Sequence, residues 1–525
     1  GVATHSGIIS GATSFTKTGS GTLVLSGENT FTRSVTLSEG TLTLGNASAL
    51  GTGALTAADG TTLRYDTDRQ AVSNAIVLNG ELGITANGRA LQDGVISGSG
   101  GLRINAATIL TGANTFSGGT TIESYGVTVR NDAALGTGDV TMGDFTSIKY
   151  ADGTRLANDL TLNGTALLGG DGGYSATQSG AISGTGTLSL FGAGTMTLTG
   201  SNTYSGGTEM TEGTLLVGND SALGTGTLSA SGGTLGFAAA DLTVANAIEM
   251  PFAFTVDTGT NSGTLSGVVS GNGNLTKTGA GTLTLTGTNS YTGATDVQAG
   301  TLYINGDQSA ATGLTTINSG AALGGTGIIG GDVRLADFAS LNPGTSPGTL
   351  TINGNLSLSG GSYLNYEFGE AGVVGGPLND LVVVGGDLTL DGTLNVTQTQ
   401  GGTFGPGVYR VINYGGTLTD NGLTLGSAPG NNAFVQTSVA NQVNLVNTTG
   451  LAFSFWDGNT GASNDAVDGG SGIWQNSAGN HNWTDATGAL NGTYDDGTFA
   501  IFQAAAGTVT IDNSLGVVTA SGLQF

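Results

Sequence analysis

Cysteine is absent from this 525-residue chain, which excludes a disulfide scaffold, cysteine-based metal sites and cysteine nucleophiles. Basic residues are scarce: 12 lysines and arginines stand against 37 aspartates and glutamates, and no basic stripe is visible along the sequence. Nucleic-acid binding needs such cations opposite the phosphates, and an anionic membrane would repel a chain with a formal net charge of −25. No apolar stretch is long enough for a transmembrane helix. We therefore expect no nucleic-acid partner and no direct insertion of this segment into a membrane.

Proline is also rare, with six residues, whereas 98 glycines recur within a long internal repeat. The related segments are KTGSGTLVLSGENTF (17–31), LFGAGTMTLTGSNTY (190–204) and KTGAGTLTLTGTNSY (277–291), with a weaker copy at 103–116. The asparagines that they share are separated by 85, 88 and 87 residues: Asn29, Asn114, Asn202 and Asn289. Self-similarity at a fixed period indicates a repeat architecture.

A shorter period lies inside each unit. Gly21-Thr-Leu-Val-Leu is followed 19 residues later by Gly40-Thr-Leu-Thr-Leu, and this spacing recurs in other units. The alternation of leucine and threonine predicts short strands with one apolar face, and glycine or asparagine permits tight corners between them. One interval is then one coil of a parallel β-solenoid, with Leu283 stacked beside Leu302 of the next coil. Disorder, which is common in chains rich in glycine and threonine, is disfavoured by the strict alternation.

The positions that the repeats share are expected to serve the fold rather than a ligand. Because asparagine tolerates the left-handed conformation, we predict that the four shared asparagines turn corners, and that replacing Asn202 by alanine costs about 1 kcal/mol. The aromatic residues two positions further on are expected to cover the coil edge: Phe31, Phe116, Tyr204 and Tyr291.

The repeats resemble the autotransporter-associated β-strand repeat found in passenger domains of Gram-negative autotransporters. The resemblance rests on KTGAGTLTLTGTNSYTGATDVQAGTL (277–302) and GVISGSGGL (94–102), and it covers roughly residues 1–320. It implies an all-β fold, namely a right-handed parallel β-helix that forms an elongated rod. It also implies a cell-surface or extracellular location, with the signal peptide and the barrel that anchors the passenger to the outer membrane both outside this segment.

The chain is expected to have three regions. Residues 1–320 form a β-helix of repeats of about 87 residues, and residues 321–450 continue the β-helix of the passenger. Residues 451–525 contain all the tryptophans of the chain, in a segment that resembles the WDG block preceding fresh repeats in large passengers of this family. Since AGTVTIDN and SGLQF look like the first strands of another coil series, we expect the chain to end inside a longer passenger.

Two glycine motifs match known functional patterns without the context that those patterns need. The run Gly325–Gly330 matches G-x-G-x-x-G, but it leads into another strand pattern rather than a helix. Ser346 lies in a G-x-S-x-G pattern, but Pro347 follows it and the histidines, His5 and His481, are far away in the sequence. We predict no catalytic, cofactor-binding or metal-binding residues and no cofactor.

The densest charge cluster runs from Arg64 to Arg69. Alternation places Asp66 and Asp68 on one face, as a pair of acid/base carboxylates would require. At the equivalent positions of later units only the aromatic residue recurs, so the aromatic position is interpreted as structural and the charges as local decoration.

The segment around the tryptophans is the stronger candidate for ligand contacts. Aromatic faces flanked by carboxylates and amides suit sugar rings, and packing at the junction between two coil series is the favoured alternative. The residues predicted to contact a ligand are Trp456, Trp474, His481, Trp483 and Asp485.

We interpret the chain as a surface-exposed passenger that acts as a non-enzymatic stalk or adhesin in cell attachment. The expected partner is a host-cell or matrix glycan or protein, or another copy of the chain on a neighbouring bacterium. Two alternatives stay open. One is a carbohydrate-active β-helix enzyme, either a polysaccharide lyase or a glycoside hydrolase, and the other is a self-associating factor of aggregation or biofilm formation.

Overall fold

The computed structural model describes residues 1–430, 432–447, 449, 453–459, 464–477 and 479–525. Over these residues the chain consists of short β-strands and turns, without a helix. Nearly all strands pair in parallel with the strand one coil away, as Thr22–Leu25 does with Thr41–Leu44. The fold is thus an elongated parallel β-helix, which confirms the predicted fold class.

The described residues include no helix long and apolar enough to cross a membrane.

One turn of the β-helix contains three short strands. In the first repeat these are Thr61–Tyr65, Gln70–Val72 and Ile76–Leu78, after which Leu82–Ala86 begins the next turn. Leu82–Ala86 pairs in parallel with Thr61–Tyr65 in an unbroken register. The short sequence period therefore corresponds to one coil, as predicted.

The coils stack into six long sheets that run along the rod. These have ten strands from Val2–His5 to Ile182–Gly184, five from Phe15–Lys17 to Ile96–Gly98, eleven from Gln70–Val72 to Val269–Gly271, thirteen from Arg155–Leu156 to Leu418–Asp420, nine from Leu242–Val244 to Thr424–Ser427, and seven from Asp307–Gln308 to Gln442–Asn447 and Ala433–Gln436.

Rows of aliphatic side chains fill the interior of the rod. Leu283 lies beside Leu302 and Leu285 beside Ile304 on adjacent coils, as the alternation predicts, and all four are buried. The threonines between them face outward and are only partly buried. Burial of each such leucine stabilises the fold by about 1.5–3 kcal/mol, so the rod is held together coil by coil.

Three of the four shared asparagines, Asn29, Asn114 and Asn202, hold three successive coils together through their side chains. Asn202 accepts a hydrogen bond from the Ile182 backbone nitrogen (2.7 Å) on one side and donates to the Ala222 carbonyl (2.5 Å) on the other. Asn29 and Asn114 make the same pair of bonds in their own repeats. These asparagines are buried and none has a positive φ. Their role in the corners is as predicted, but the reason given was wrong: the amide bridges coils instead of relieving left-handed strain.

The aromatic residues two positions later point into the core, so the prediction that they cover the coil edge was wrong. Phe116 and Tyr204 are fully buried. Each packs against a left-handed glycine of the following coil, Gly136 or Gly224. The approach is so close that a Cβ at Gly136 (φ +69°) would lie 2.3 Å from the Phe116 carbonyl oxygen. Only glycine fits this corner without moving the backbone.

Buried lysines occupy the same position in the first and fourth repeats. The Lys277 ammonium donates to the carbonyls of Thr278 (3.0 Å), Gly279 (2.9 Å) and Ala299 (3.0 Å) and to the Thr258 hydroxyl (3.0 Å). Burial lowers the pKa of Lys277 to about 8, although nearby Asp257 acts in the opposite direction. The lysine of the KTG motif is therefore an internal tie between coils.

Parallel stacking ends before Asn447. The strand Gln442–Asn447 pairs antiparallel with both Gly407–Tyr414 and Ala433–Gln436. Within residues 321–450, which were predicted to continue the β-helix, the last strands are thus joined by antiparallel pairs. The antiparallel strands pair the N–H and C=O groups that a terminal coil would otherwise leave open.

A separate set of strands follows in the C-terminal part of the chain. Phe453–Trp456 pairs antiparallel with Trp483–Thr484 and parallel with Phe499–Ile501, which in turn pairs with Gly522–Gln524. A second small sheet joins Gly472–Gln475 to Val509–Asp512. The predicted boundary between residues 450 and 451 lies outside the described residues.

Candidate functional site

The three tryptophans form a small aromatic core in the C-terminal part. Trp456, Trp474 and Trp483 are only 1%, 2% and 2% exposed. Trp483 lies 5.2 Å from Trp456 and 4.9 Å from Trp474 between ring centroids, and Tyr494 and Phe502 complete the cluster. The rings meet edge-to-face or at a tilt and are almost fully buried, so the geometry is that of packing and leaves no indole face open for stacking on a sugar.

The other two residues predicted to contact a ligand lie on the surface beside this core. Asp485 accepts hydrogen bonds from the Thr487 backbone nitrogen (2.9 Å) and hydroxyl (2.6 Å), which hold its pKa below the usual range. His481 is exposed between two asparagines whose side chains donate to the Ile473 carbonyl. Any ligand contact in this region falls to these exposed side chains, and their binding role stays a prediction.

The carboxylates of the Arg64–Arg69 cluster are engaged in contacts between coils. Both carboxylate oxygens of Asp68 accept from the Arg89 guanidinium (3.1 and 2.9 Å), and this pairing lowers the pKa of Asp68 to about 2. Asp66 accepts from the Asn87 amide (2.8 Å), which also contacts Arg64. A carboxyl group with so low a pKa is ionised near neutral pH, which disfavours Asp68 as the general acid of a glycosidase.

The recurring aromatic beside these charges is structural in the first two repeats. Tyr65 and Tyr150 are buried and donate to the side chains of Gln92 (2.8 Å) and Gln178 (3.0 Å). The interpretation drawn from the sequence holds for these two positions.

Neither glycine motif, G-x-G-x-x-G or G-x-S-x-G, is followed by the helix that its known function requires. Val333–Leu335, a strand, follows Gly325–Gly330 where a dinucleotide site needs a helix N-terminus. Ser346 is likewise followed by a strand, Thr349–Ile352, rather than by the helix of a nucleophile elbow. The described residues hold no cluster of three or more metal-ligating side chains.

A buried carboxylate beside Ser346 could not be inferred from the sequence. Asp380 accepts hydrogen bonds from the backbone nitrogens of Gly348 (2.8 Å) and Glu367 (2.7 Å). Burial raises the pKa of Asp380 from its usual value of 3.8 to about 7. It therefore fastens the Pro343–Gly348 corner to the next coil.

The pKa of Asp380 predicts a pH-dependent stability of this corner. Since the folded-state pKa lies above the unfolded one, the folded state binds the extra proton between pH 4 and 7, and stability falls as the pH rises through 7. We expect local unfolding to cost about 2 kcal/mol more at pH 5 than at pH 7, and Asp380→Asn to abolish that difference. Hydrogen exchange of residues 344–350 and 367–382 measures it. An unchanged pH dependence in the variant would contradict this role.

The structure also gathers basic side chains that the sequence keeps apart. Arg69, Arg89, Arg130 and Lys149 line one groove of about 380 Å³, which we call the basic groove. They lie on or directly beside four strands of one sheet, each in a different coil: Gln70–Val72, Arg89–Gln92, Gly126–Val129 and Thr146–Tyr150. No basic stripe is visible along the sequence, but the fold brings these four basic side chains together. Residues one coil apart are neighbours in space but about 20 positions apart in sequence.

The sequence of the chain is similar to a family of repeats and to known extracellular proteins. The passenger-associated-transport-repeat matches residues 15–44, 105–124, 191–217 and 275–304. Over 274 residues the chain is 51% identical to the adhesin BmaC autotransporter of Brucella suis biovar 1 (strain 1330), covering 50% of this chain and 8% of that protein. Two shorter matches, 43% identical over 104 residues and 32% over 110, are to extracellular serine proteases of Serratia marcescens. Each covers 20% of this chain and 10% of the protease.

The chain is therefore a parallel β-helix that carries passenger-associated-transport-repeats and is similar over half of its length to an autotransporter adhesin. It spans a tenth or less of the length of the relatives that it matches.

Proposed function

We propose that this segment is a non-enzymatic stalk and adhesin, held at the outer membrane by a barrel elsewhere in the protein. The observation that carries the proposal is the similarity of half of the chain to an autotransporter adhesin. The rod supports it, because stacked coils present a long outer face at a distance from the cell. The partner is a glycan or protein of a host cell or its matrix.

The alternative of a carbohydrate-active enzyme is disfavoured by the contacts of its candidate acid/base pair, Asp66 and Asp68. A glycosidase needs one carboxyl group that stays protonated near neutral pH and a second that attacks or activates water. Asp68 is instead paired with Arg89, and Asp66 is held by an amide. Incubation with a panel of acidic and neutral polysaccharides tests this alternative, and release of sugar fragments would support it.

Adhesion is tested with beads that carry residues 1–525, applied to cultured cells and to matrix proteins. Attachment above that of bare beads is expected. The self-association alternative makes a different prediction, since the beads would then aggregate with each other and leave the cells uncovered. Failure of the beads both to attach and to aggregate would contradict an adhesive role of this segment.

The C-terminal part is proposed to contribute to adhesion through its exposed rim around His481 and Asp485. We expect the fragment 1–447 to keep the circular dichroism spectrum of the rod but to attach to cells more weakly. Asp66→Ala, in the N-terminal part of the chain and outside the lining of the basic groove, is the matched control and should change attachment little. Full attachment by folded 1–447 would instead place the contacts within the rod.

A further inference from the structure

The second repeat departs from the others at two consecutive corners. Alignment on the shared asparagines places Tyr125 where the other repeats have glycines with φ of +73°, +74° and +66°: Gly40, Gly213 and Gly300. Phe145, in the next coil, stands in the same way where the others have glycines with φ of +70°, +77° and +80°: Gly60, Gly233 and Gly320. Both aromatic residues keep the left-handed backbone, with φ of +65° and +55°.

The rings of Tyr125 and Phe145 are not stabilised by burial in the fold. The left-handed conformation is unfavourable for a bulky side chain, and glycine adopts it freely. Yet Tyr125 is 68% exposed and Phe145 is 72% exposed, so neither ring is compensated by burial. Exposed rings held in a strained conformation suggest that they contact something outside the chain.

Tyr125 also borders the basic groove. The residue after it is Gly126, where the other repeats have Thr41, Thr214 and Thr301, and the Ser147 hydroxyl of the next coil fills the space that a side chain would take there. Ala107 of the preceding coil adds only a methyl group to the floor. The exchange of Gly-Thr for Tyr-Gly thus places a ring at the edge of the groove and gives it a floor of small side chains.

The charge of the groove is unlike that of the rest of the chain. Four of the 12 basic residues line it, together with one acidic residue, Asp171. Lys149 pairs with Asp171 (2.7 Å), whose side chain is 85% exposed, and Arg89 pairs with Asp68 (2.9 Å) at the rim. Within the described part of the chain, Arg69 and Arg130 form no ion pair and are exposed. Two guanidinium groups are therefore open to an anionic ligand.

We propose that the basic groove binds an anionic polysaccharide, sulfated or carboxylated. Its sugar rings lie on Tyr125 at the edge of the groove and on Phe145, which is outside the lining but on the next coil, and its anionic groups pair with Arg69, Arg89, Arg130 and Lys149. The coils of Arg69 and Lys149 are four steps apart, which at ~4.8 Å per step is about 19 Å, a length of several sugar units. The inference rests on the proposed adhesive function and names the class of ligand. A surface passenger meets polysaccharides of this kind on host cells, whereas nucleic acid is the competing polyanion.

Binding to immobilised dextran sulfate and to hyaluronate, with neutral dextran as reference, tests the proposal on residues 1–525. Arg69→Ala with Arg130→Ala should weaken binding about tenfold or more, since each charge-assisted pair is strong. The matched control is Arg33→Ala with Arg334→Ala, which removes the same charge from exposed positions outside the groove and should leave affinity within about twofold.

The aromatic pair is tested by Tyr125→Gly with Phe145→Gly. Glycine is the residue of the other repeats at these corners, so the variant should fold with an equal or higher melting temperature. Loss of binding, expected at about fivefold or more, is then not a loss of folding. Phe338→Gly is the control, because Phe338 has the same conformation (φ +64°) and is 61% exposed but lies many coils away from Tyr125.

The outcomes separate this inference from the proposed function. Unchanged affinity in both groove variants, or equally strong competition by single-stranded DNA of the same charge, would overturn the polysaccharide site. Absence of polysaccharide binding by beads that still attach to cells would overturn the inference alone. Specific polysaccharide binding by a segment that attaches to no cell would support the groove and contradict the adhesin.

Discussion

Replacing Asn202 by alanine is expected to lower the local free energy of unfolding by about 3 kcal/mol. The substitution removes one acceptor and one donor at once, and both the Ile182 N–H and the Ala222 C=O lose their partner inside the rod. Each buried backbone group without a partner costs about 1–3 kcal/mol. The expected effect therefore exceeds the value of about 1 kcal/mol that a left-handed strain argument gives.

Asn289 provides the matched control for this prediction. Its side chain accepts from the Val269 backbone nitrogen (2.8 Å), but its amide nitrogen has no partner. Asn289→Ala should thus cost only about 1–2 kcal/mol, because one hydrogen bond is lost and not two. Native-state hydrogen exchange of the three coils around each site measures the two values, since a repeat protein need not unfold in one step. Equal losses at both sites would contradict the bridging role.

Raising the pH from 8 to 10 is expected to strengthen the fourth repeat by about 2–3 kcal/mol through Lys277. The folded-state pKa of about 8 lies below the usual value of 10.5, so in this range the unfolded chain binds more protons than the folded one. Stability therefore rises with pH between the two values. The charged lysine has only neutral oxygens as hydrogen-bond partners, and losing its proton removes the cost of keeping a charge inside the rod.

Lys277→Met is the variant that tests this expectation. Leu190 occupies the aligned position in the third repeat, so an aliphatic side chain is compatible with the coil. Hydrogen exchange of residues 275–300 should lose its rise between pH 8 and 10 in the variant. Measurements stop at pH 10 because buried Tyr291 has a pKa raised to about 12, and its ionisation opposes folding above that range. A rise that persists without the lysine would assign the effect to another group.

The sequence was a good guide to the fold because its signal is periodic. The leucine–threonine alternation predicts which side chains enter the core, and the stacking of Leu283 on Leu302 confirms that reading. The departures came from single side chains. Composition indicated that Asn202 turns a corner, but only the positions of the neighbouring coils show that its amide joins them.

The sequence was a weaker guide to the candidate sites. For Trp456, Trp474 and Trp483 the sequence favoured packing over sugar binding, but it did not show which rings contact each other. The basic groove could not be predicted because its residues are distant in sequence: three other coils separate Arg69 from Lys149. Comparing the repeats position by position would have revealed the exchange of glycine for Tyr125 and Phe145, but not its coincidence with the cations.

The sequence by itself determined the architecture: a period of about 87 residues, coils with one apolar face, and an acidic chain without cysteine. These features follow from local alternation and glycine content, which act through neighbours in the chain. Only the tertiary structure decided which side chains meet across coils. Contacts of this kind join residues about 20 positions apart, and their geometry depends on the backbone path at each corner. For that reason the bridging asparagines, the buried lysine and the basic groove became visible only in the folded rod.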